Sequence, residues 1–556
     1  MGSVLIAIVS FFLYFVAYRT YGYFLGHKIF ELSIDKKTPA HTLRDEVDFL
    51  PTKKGVLFGH HYASIAGTGP IVGPAIAIIW GWLPALLWVI IGSIFMGAVH
   101  DFGSLVISQR NDGKSIGDIC SKLIHPRVKI LFLLIIFFEL WIVVAIFALV
   151  IGLIFKLYPS SVIPIWTQIP IAMWLGYVVY RKNKDPFLYS IFAVLLMYIT
   201  IVIGAYFPIS LPDFFGIQSI VWWVIILLIY CFIASCLPVW RLLQPRDYIN
   251  SHQLIVAMFL LLIGVLVAHP SVSAPVVNFK PEGAPPMIPF IFVIIACGAI
   301  SGFHSLVSSG TSSKQINKET DALFIGFGAM ILEGVLAVLV IIAVAAGIGD
   351  RSVWNQYYAN WSATEGLGAN LKAFVDGSTN MISQLGISAK ICATVMGVFI
   401  ASFAGTTLDT AARIMRYVVG ELGESFNVKI VNDRYIGSAI VIVCAGLLAF
   451  SGEGGGKGAM ILWPLFGTVN QLLAGLALLI ITIYLIKKGK PSFYAWIPMV
   501  FMVIMTGWAM VYNVKNFIIS KNWLLVVIGV IILLLEIWMI IESIIAVKEN
   551  KPTDIQ

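Results

Sequence analysis

The sequence predicts an all-α, polytopic membrane protein of about 15 transmembrane helices, arranged as an inverted repeat with extra helices. Three observations predict it. Hydrophobic residues make up 59% of the 556 and charged residues 12%, whereas soluble globular chains sit near half apolar and a quarter charged. The apolar residues fall in runs of about 20, the length that crosses a bilayer. One short pattern also occurs twice, as Gly59-His60-His61 and Gly302-Phe303-His304, each followed after five residues by Gly-Thr.

Spans are expected near 3–26, 61–80, 82–109, 130–155, 158–180, 186–206, 218–240, 250–268, 286–308, 321–347, 386–412, 433–450, 459–486, 492–513 and 522–546. They leave no loop large enough for a soluble domain, so 1–556 reads as one membrane domain. The first run has no Lys or Arg before Arg19. It lacks the basic region of a cleavable signal and reads as a retained span. With the N-terminus outside, the inside loops collect most of the basic residues, among them Lys36, Lys37, Lys53, Lys54, Arg110, Lys114, Arg181, Lys182, Lys487 and Lys488. The outside segments hold few, such as Lys156, Lys280 and Arg351. Cytoplasmic loops carry the Lys/Arg excess, so the C-terminus is expected in the cytoplasm.

The patterned segments are spans two and nine. An odd number of spans separates their starts, so they run in opposite directions through the membrane. Spans two to six (61–206) then match nine to thirteen (286–486) as an inverted repeat. Residues 218–268 are an insertion and 492–546 are peripheral. A pair of Gly/Pro-interrupted spans at matching positions is the best sequence pointer to a transporter's binding site. Close packing of helices through small residues is the plainer alternative.

In 59–74, Gly67, Gly69 and Gly73 loosen the helix, and Pro70 and Pro74 cannot donate backbone hydrogen bonds. Backbone groups around Ala66, Gly67, Thr68 and Gly69 are expected to be free. Freed carbonyls suit a cation, and the N-terminus of a half-helix suits a carboxylate. Ser308, Ser309, Gly310 and Thr311 are expected to play the same part in span nine, with a loop past the span end as the alternative. Thr406 and Thr407 can complete an oxygen cage with the carbonyl of Ala66, since hard cations take oxygen ligands. Their hydroxyls can equally bond back to their own helix.

Ionisable residues inside spans are costly and therefore functional candidates. His61, His100, Asp101, Glu139, His304 and Asp409 are the expected coupling or gating residues, beside Glu333 in span ten. A satisfied core residue is the alternative for any one histidine. Glu536 and Glu542 lie in a peripheral span and read as structural. No HExxH or CxxC spacing is present, and the neighbours His60-His61 and His100-Asp101 point to different helix faces. No metal site, cofactor or enzyme chemistry is expected. Five of the six cysteines lie in apolar runs, and buried structural thiols are the expected reading. The loop Gly452–Gly458 lacks the spacing of a phosphate loop. The net charge of +8 lies between spans and is no nucleic-acid footprint.

Six segments go further: GHHYASIAGTGPIVGPAIA (59–77), HDFGSLVISQRNDGKSIGDI (100–119), LLQPRDYINS (242–251), ACGAISGFHSLVSSGTSSKQ (296–315), LDTAARIMRYV (408–418) and LWPLFGTVNQLLA (462–474). In these, the chain resembles the carbon starvation protein A (CstA) family, from about residue 40 to 480. That resemblance implies a bacterial inner-membrane transporter linked to nutrient limitation, taking up peptides or pyruvate. It also implies membership of the amino acid–polyamine–organocation superfamily, with a LeuT-like core of five plus five helices. Span two would be the first core helix, span nine the sixth and span eleven the eighth, which puts Thr406 and Thr407 where cation ligands belong. The chain is shorter than the long members, mainly at its C-terminal end. The expected partners are a small carboxylate or peptide, a proton or sodium ion, and the bilayer. The rival reading is a membrane nutrient sensor that binds ligand without net transport.

Overall fold

The computed structural model describes residues 2–126, 128–364, 367–450 and 457–548, and the side chains of 451–464 are not described. The loop 452–456 lies outside these residues. Helices account for every expected span. In chain order they are α1 (Ser3–Ile29), the bent pair α2 (Lys54–Ile65) and α3 (Gly69–Trp80), α4 (Trp82–Gln109), α5 (Val128–Leu157), α6 (Pro159–Arg181), α7 (Pro186–Tyr206), α8 (Ser219–Cys236) and α9 (Leu243–Ala268). There follow α10 (Met287–Ile294) and α11 (Gly302–Gly310), α12 (Glu319–Gly347), α13 (Leu367–Ser383), α14 (Ala389–Ser425), α15 (Arg434–Ala449), α16 (Lys457–Lys487), α17 (Phe493–Ile519) and α18 (Trp523–Lys548).

Twelve of these helices are long and apolar enough to cross a membrane, and the α2–α3 pair adds a span bent by 43°. The all-α, multi-span fold class stands. Two expected spans differ in kind. Span nine is cut into α10 and α11, of 8 and 9 residues, and α15 has only 16. Helix α13 was not expected. Its Lys, Asp and Asn residues hide it from a search for apolar runs, yet it packs on α14 and on the end of α12.

Burial sorts the helices into two shells. In their most apolar windows, 89% of α12 and of α16 is buried, against 33% of α1, α6, α7 and α17. The outer helices expose Phe12, Leu195, Trp508 and similar side chains, which suits contact with lipid, since a helix pairs its interior backbone groups within itself. The 37-residue α14 runs through the middle and packs most extensively on α5.

The first break follows from residues 66–70. Pro70 sits in the first turn of α3 and brings no N–H, and Gly67 and Gly69 cost helix stability. The second break covers 295–301, where Gly298 takes φ +90°. A Cβ at Gly298 would also lie 2.8 Å from Ala337 Cβ. Gly298→Ala is therefore expected to lower stability by about 1–3 kcal/mol, read as a fall in melting temperature. An unchanged melting temperature would mean that this backbone is not held as described.

Candidate functional site

The two breaks meet in the interior. A Cβ added to Gly69 would lie 2.5 Å from Cys297 Sγ, so only glycine lets the start of α3 approach the unwound stretch before α11. Thr68 and its hydroxyl are buried, and the hydroxyl has no hydrogen-bond partner among the described residues. Trp88 Nε1 donates to the Ile295 carbonyl at 3.0 Å. Asn470 of α16 caps α11, its Oδ1 accepting from the Phe303 amide at 2.9 Å and the Ser301 hydroxyl at 3.1 Å.

Next to this junction lies a buried charged cluster. His304 of α11 stands between two carboxylates, with Nδ1 2.9 Å from Asp101 Oδ2 and Nε2 3.4 Å from Glu333 Oε2. Asp101 Oδ1 is 2.7 Å from His100 Nδ1. Glu333 Oε1 accepts from the Gly298 amide at 3.1 Å, which ties α12 to the second break. All four side chains are buried. Asp101 and His100 follow a π-helical turn at Ser93–Gly97 in α4, a local widening frequent at functional sites.

A second network sits on another side of α2. His60 Nδ1 is 2.7 Å from Asp247 Oδ2 in α9, whereas the neighbouring His61 Nδ1 is 2.8 Å from Ser312 Oγ, just past α11. Arg246 donates to Asp409 of α14, to Asp247 at 3.2 Å and to the Tyr230 hydroxyl at 2.7 Å. Tyr230 in turn donates to Asp409 at 2.8 Å. One turn on, Asn250 of α9 donates to the Thr406 hydroxyl at 2.7 Å and accepts from Gln168 at 2.5 Å.

The sequence-expected residues thus divide. His100, Asp101 and His304 come together, and His61 joins the same side through Ser312. Asp409 belongs to the other network. Glu139 stands apart on α5, with no hydrogen-bond partner on either oxygen among the described residues. Thr407 reaches the first break, donating to the Ser64 carbonyl at 3.2 Å. The expected free backbone at Ser308, Ser309, Gly310 and Thr311 is corrected by the structure. The first three close α11 and Thr311 caps it. Ser309 and Thr311 bond back to the Ser305 and Val307 carbonyls at 2.8 and 3.0 Å, the return bond that hydroxyls make inside helices. The break comes earlier, at 295–301.

Sequence reasoning missed Arg246, Asp247, Asn250, Asn470 and Cys297. The signal was there for the first three: an Arg, an Asp and an Asn within one helical turn of each other in the motif 242–251. Cys297, His304 and Glu333 bring a thiol, an imidazole and a carboxylate within 4.8 Å of one another, a grouping that no local spacing reveals. All six cysteines are free thiols, with Cys120, Cys231, Cys297 and Cys392 buried as expected and Cys236 and Cys444 only partly so.

The sequence model of the carbon starvation protein CstA family matches residues 2–366 and 355–509. The chain belongs to the CstA family. A "Peptide transporter CstA" of Bacillus subtilis is 33% identical over 552 residues, covering 93% of this chain and 91% of that protein. A "Pyruvate/proton symporter BtsT" of Escherichia coli is 31% identical, covering 92% of this chain and 81% of that one. Among solved structures, a manganese transporter of Eremococcus coleocola superposes with a TM-score of 0.52 at 13% identity, over 92% of this chain and 99% of that chain. That likeness concerns the fold alone. This CstA-family chain is a multi-span membrane transporter whose all-α fold is like that of the manganese transporter.

Proposed function

We propose that the chain imports peptides or pyruvate-like small carboxylates into the bacterial cell across the inner membrane, by secondary transport driven by protons. The observation that carries this reading is the meeting of two broken helices beside two buried charged networks, a form suited to alternating access around a central site. The printed activities of the two relatives supply the substrate classes. Thr68 and the start of α3 at Gly69 would receive the carboxylate, with the unwound stretch 295–301 opposite. Residues 61–206 and 286–486 act as the two inverted halves. The Lys/Arg bias supports an external N-terminus and a cytoplasmic C-terminus.

Protons are favoured over sodium by what surrounds the expected cation ligands Ala66, Thr406 and Thr407. The Thr406 hydroxyl accepts from Asn250, Thr407 donates to Ser64, and Arg246 brings a fixed positive charge one turn away. Asp409, paired with Arg246, is the proposed proton carrier. His61, His100, Asp101 and His304 hold or release the second broken helix. Glu139 is a further buried carboxyl available to the cycle.

Radiolabelled pyruvate and a dipeptide, offered to proteoliposomes under a proton or a sodium gradient, test this. Uphill accumulation of either solute under the proton gradient alone is expected. Accumulation that follows sodium would overturn the proton assignment. No uptake of either solute by folded protein would overturn the substrate assignment.

A further inference from the structure

Three side chains meet at the second break. Their ligand atoms (Cys297 Sγ, a His304 nitrogen and a Glu333 oxygen) lie within 4.8 Å of one another, and all three residues are buried. His304 Nε2 and Glu333 Oε2 face each other at 3.4 Å without forming a hydrogen bond, and the Cys297 thiol donates to the Ser301 hydroxyl at 3.4 Å. The other polar atom of each is tied down. His304 Nδ1 is 2.9 Å from Asp101 Oδ2, whose second oxygen is 2.7 Å from His100. Glu333 Oε1 accepts from the Gly298 amide. An imidazole whose far nitrogen is fixed by a carboxylate, with its near nitrogen turned toward other ligand atoms, is the usual arrangement at protein metal centres.

We propose that Cys297, His304 and Glu333 bind one transition-metal dication of the zinc class at the junction of the two broken helices. The donor set is one sulfur, one nitrogen and one oxygen. It suits zinc, cobalt or nickel rather than magnesium or calcium, which take oxygen ligands. Three protein ligands leave the fourth tetrahedral position open to a water. Binding takes the thiolate, so the Cys297 proton is released to solvent. The ligands come from the unwound stretch, from α11 and from α12, three pieces that alternating access must move past one another. The metal therefore acts as a brake, locking the second break.

The test uses full-length purified protein, stripped with chelator and titrated with Co²⁺, then Zn²⁺. One cobalt per chain is expected, with a thiolate-to-cobalt charge-transfer band that one equivalent of zinc removes. Cys297→Ser should lose the band. Asp101→Asn should weaken binding by about 10–100-fold. Melting temperature reports whether each variant is folded. Should a variant fail to fold, X-ray absorption at the zinc edge of the unmodified protein decides, with one sulfur expected at about 2.3 Å. No band in the unmodified protein, a band that persists in Cys297→Ser, or a sulfur-free zinc edge would overturn the site. Zinc should also slow uptake by the unmodified protein and leave Cys297→Ser at its own zinc-free rate. Binding without slowing would overturn the brake.

Discussion

Arg246→Ala is expected to destabilise the protein by about 3–5 kcal/mol, because it leaves buried carboxylates without their cation. Arg246 is 3% exposed and serves Asp247, Asp409 and the Tyr230 hydroxyl at once. Without it, Asp409 keeps only the tyrosine and Asp247 keeps His60. Arg246→Lys should recover only part of the loss, since an ammonium lacks the planar fork that reaches three partners. The pair Arg246→Met with Asp409→Leu should recover more, since replacing both members of a buried ion pair by apolar groups is often neutral or stabilising. That double variant should still fail to accumulate substrate, which separates folding from coupling. Thermal melts of the purified variants check the first part, and gradient-driven uptake checks the second. An unchanged melting temperature for Arg246→Ala would refute the network.

His304→Ala should behave in the opposite way, folding normally while its accumulation falls to the level of empty liposomes. The two carboxylates it leaves behind each keep a partner. Asp101 keeps His100 at 2.7 Å, and Glu333 keeps the Gly298 amide at 3.1 Å. The cost of the unmade contacts is then on the order of 1–3 kcal/mol, less than for Arg246, whose guanidinium is always charged and serves three partners. What is lost is the link between α4, α11 and α12, which the proposed gating requires. Uptake under an imposed proton gradient, with a melting curve on the same preparation, reads both quantities. Normal accumulation by this variant would remove His304 from the mechanism.

Much of this was legible in the chain itself. The span map came from apolar runs, and the paired pattern located both discontinuous helices. It located the first break correctly because Gly67, Gly69 and Pro70 act locally, through missing side chains and a missing N–H. The second break was misplaced by several residues. A run of serines looks polar enough to unwind, yet Ser309 and Thr311 satisfy their hydroxyls inside the helix. Gly298, with its positive φ, marks the true break. Arg246 and Asp247 escaped notice for a different reason. Their significance lies in contacts with α2 and α14, more than a hundred residues away in sequence, and no periodicity encodes such a meeting. Helix α13 was hidden because its helical signal comes from amphipathic packing rather than from hydrophobic length.

The adjacent histidines of α2 carry one more consequence. His60 and His61 sit on a helix of 12 residues, and consecutive side chains point about 100° apart. One anchors the helix to Asp247 and the other to Ser312. A roll of α2 about its own axis cannot leave one anchor in place while moving the other. A roll of the half-helix would therefore shift the Asp247 and Ser312 anchors in the same stroke. In the proposed transport cycle the two latches then open together, and a state with one open and the other shut is avoided.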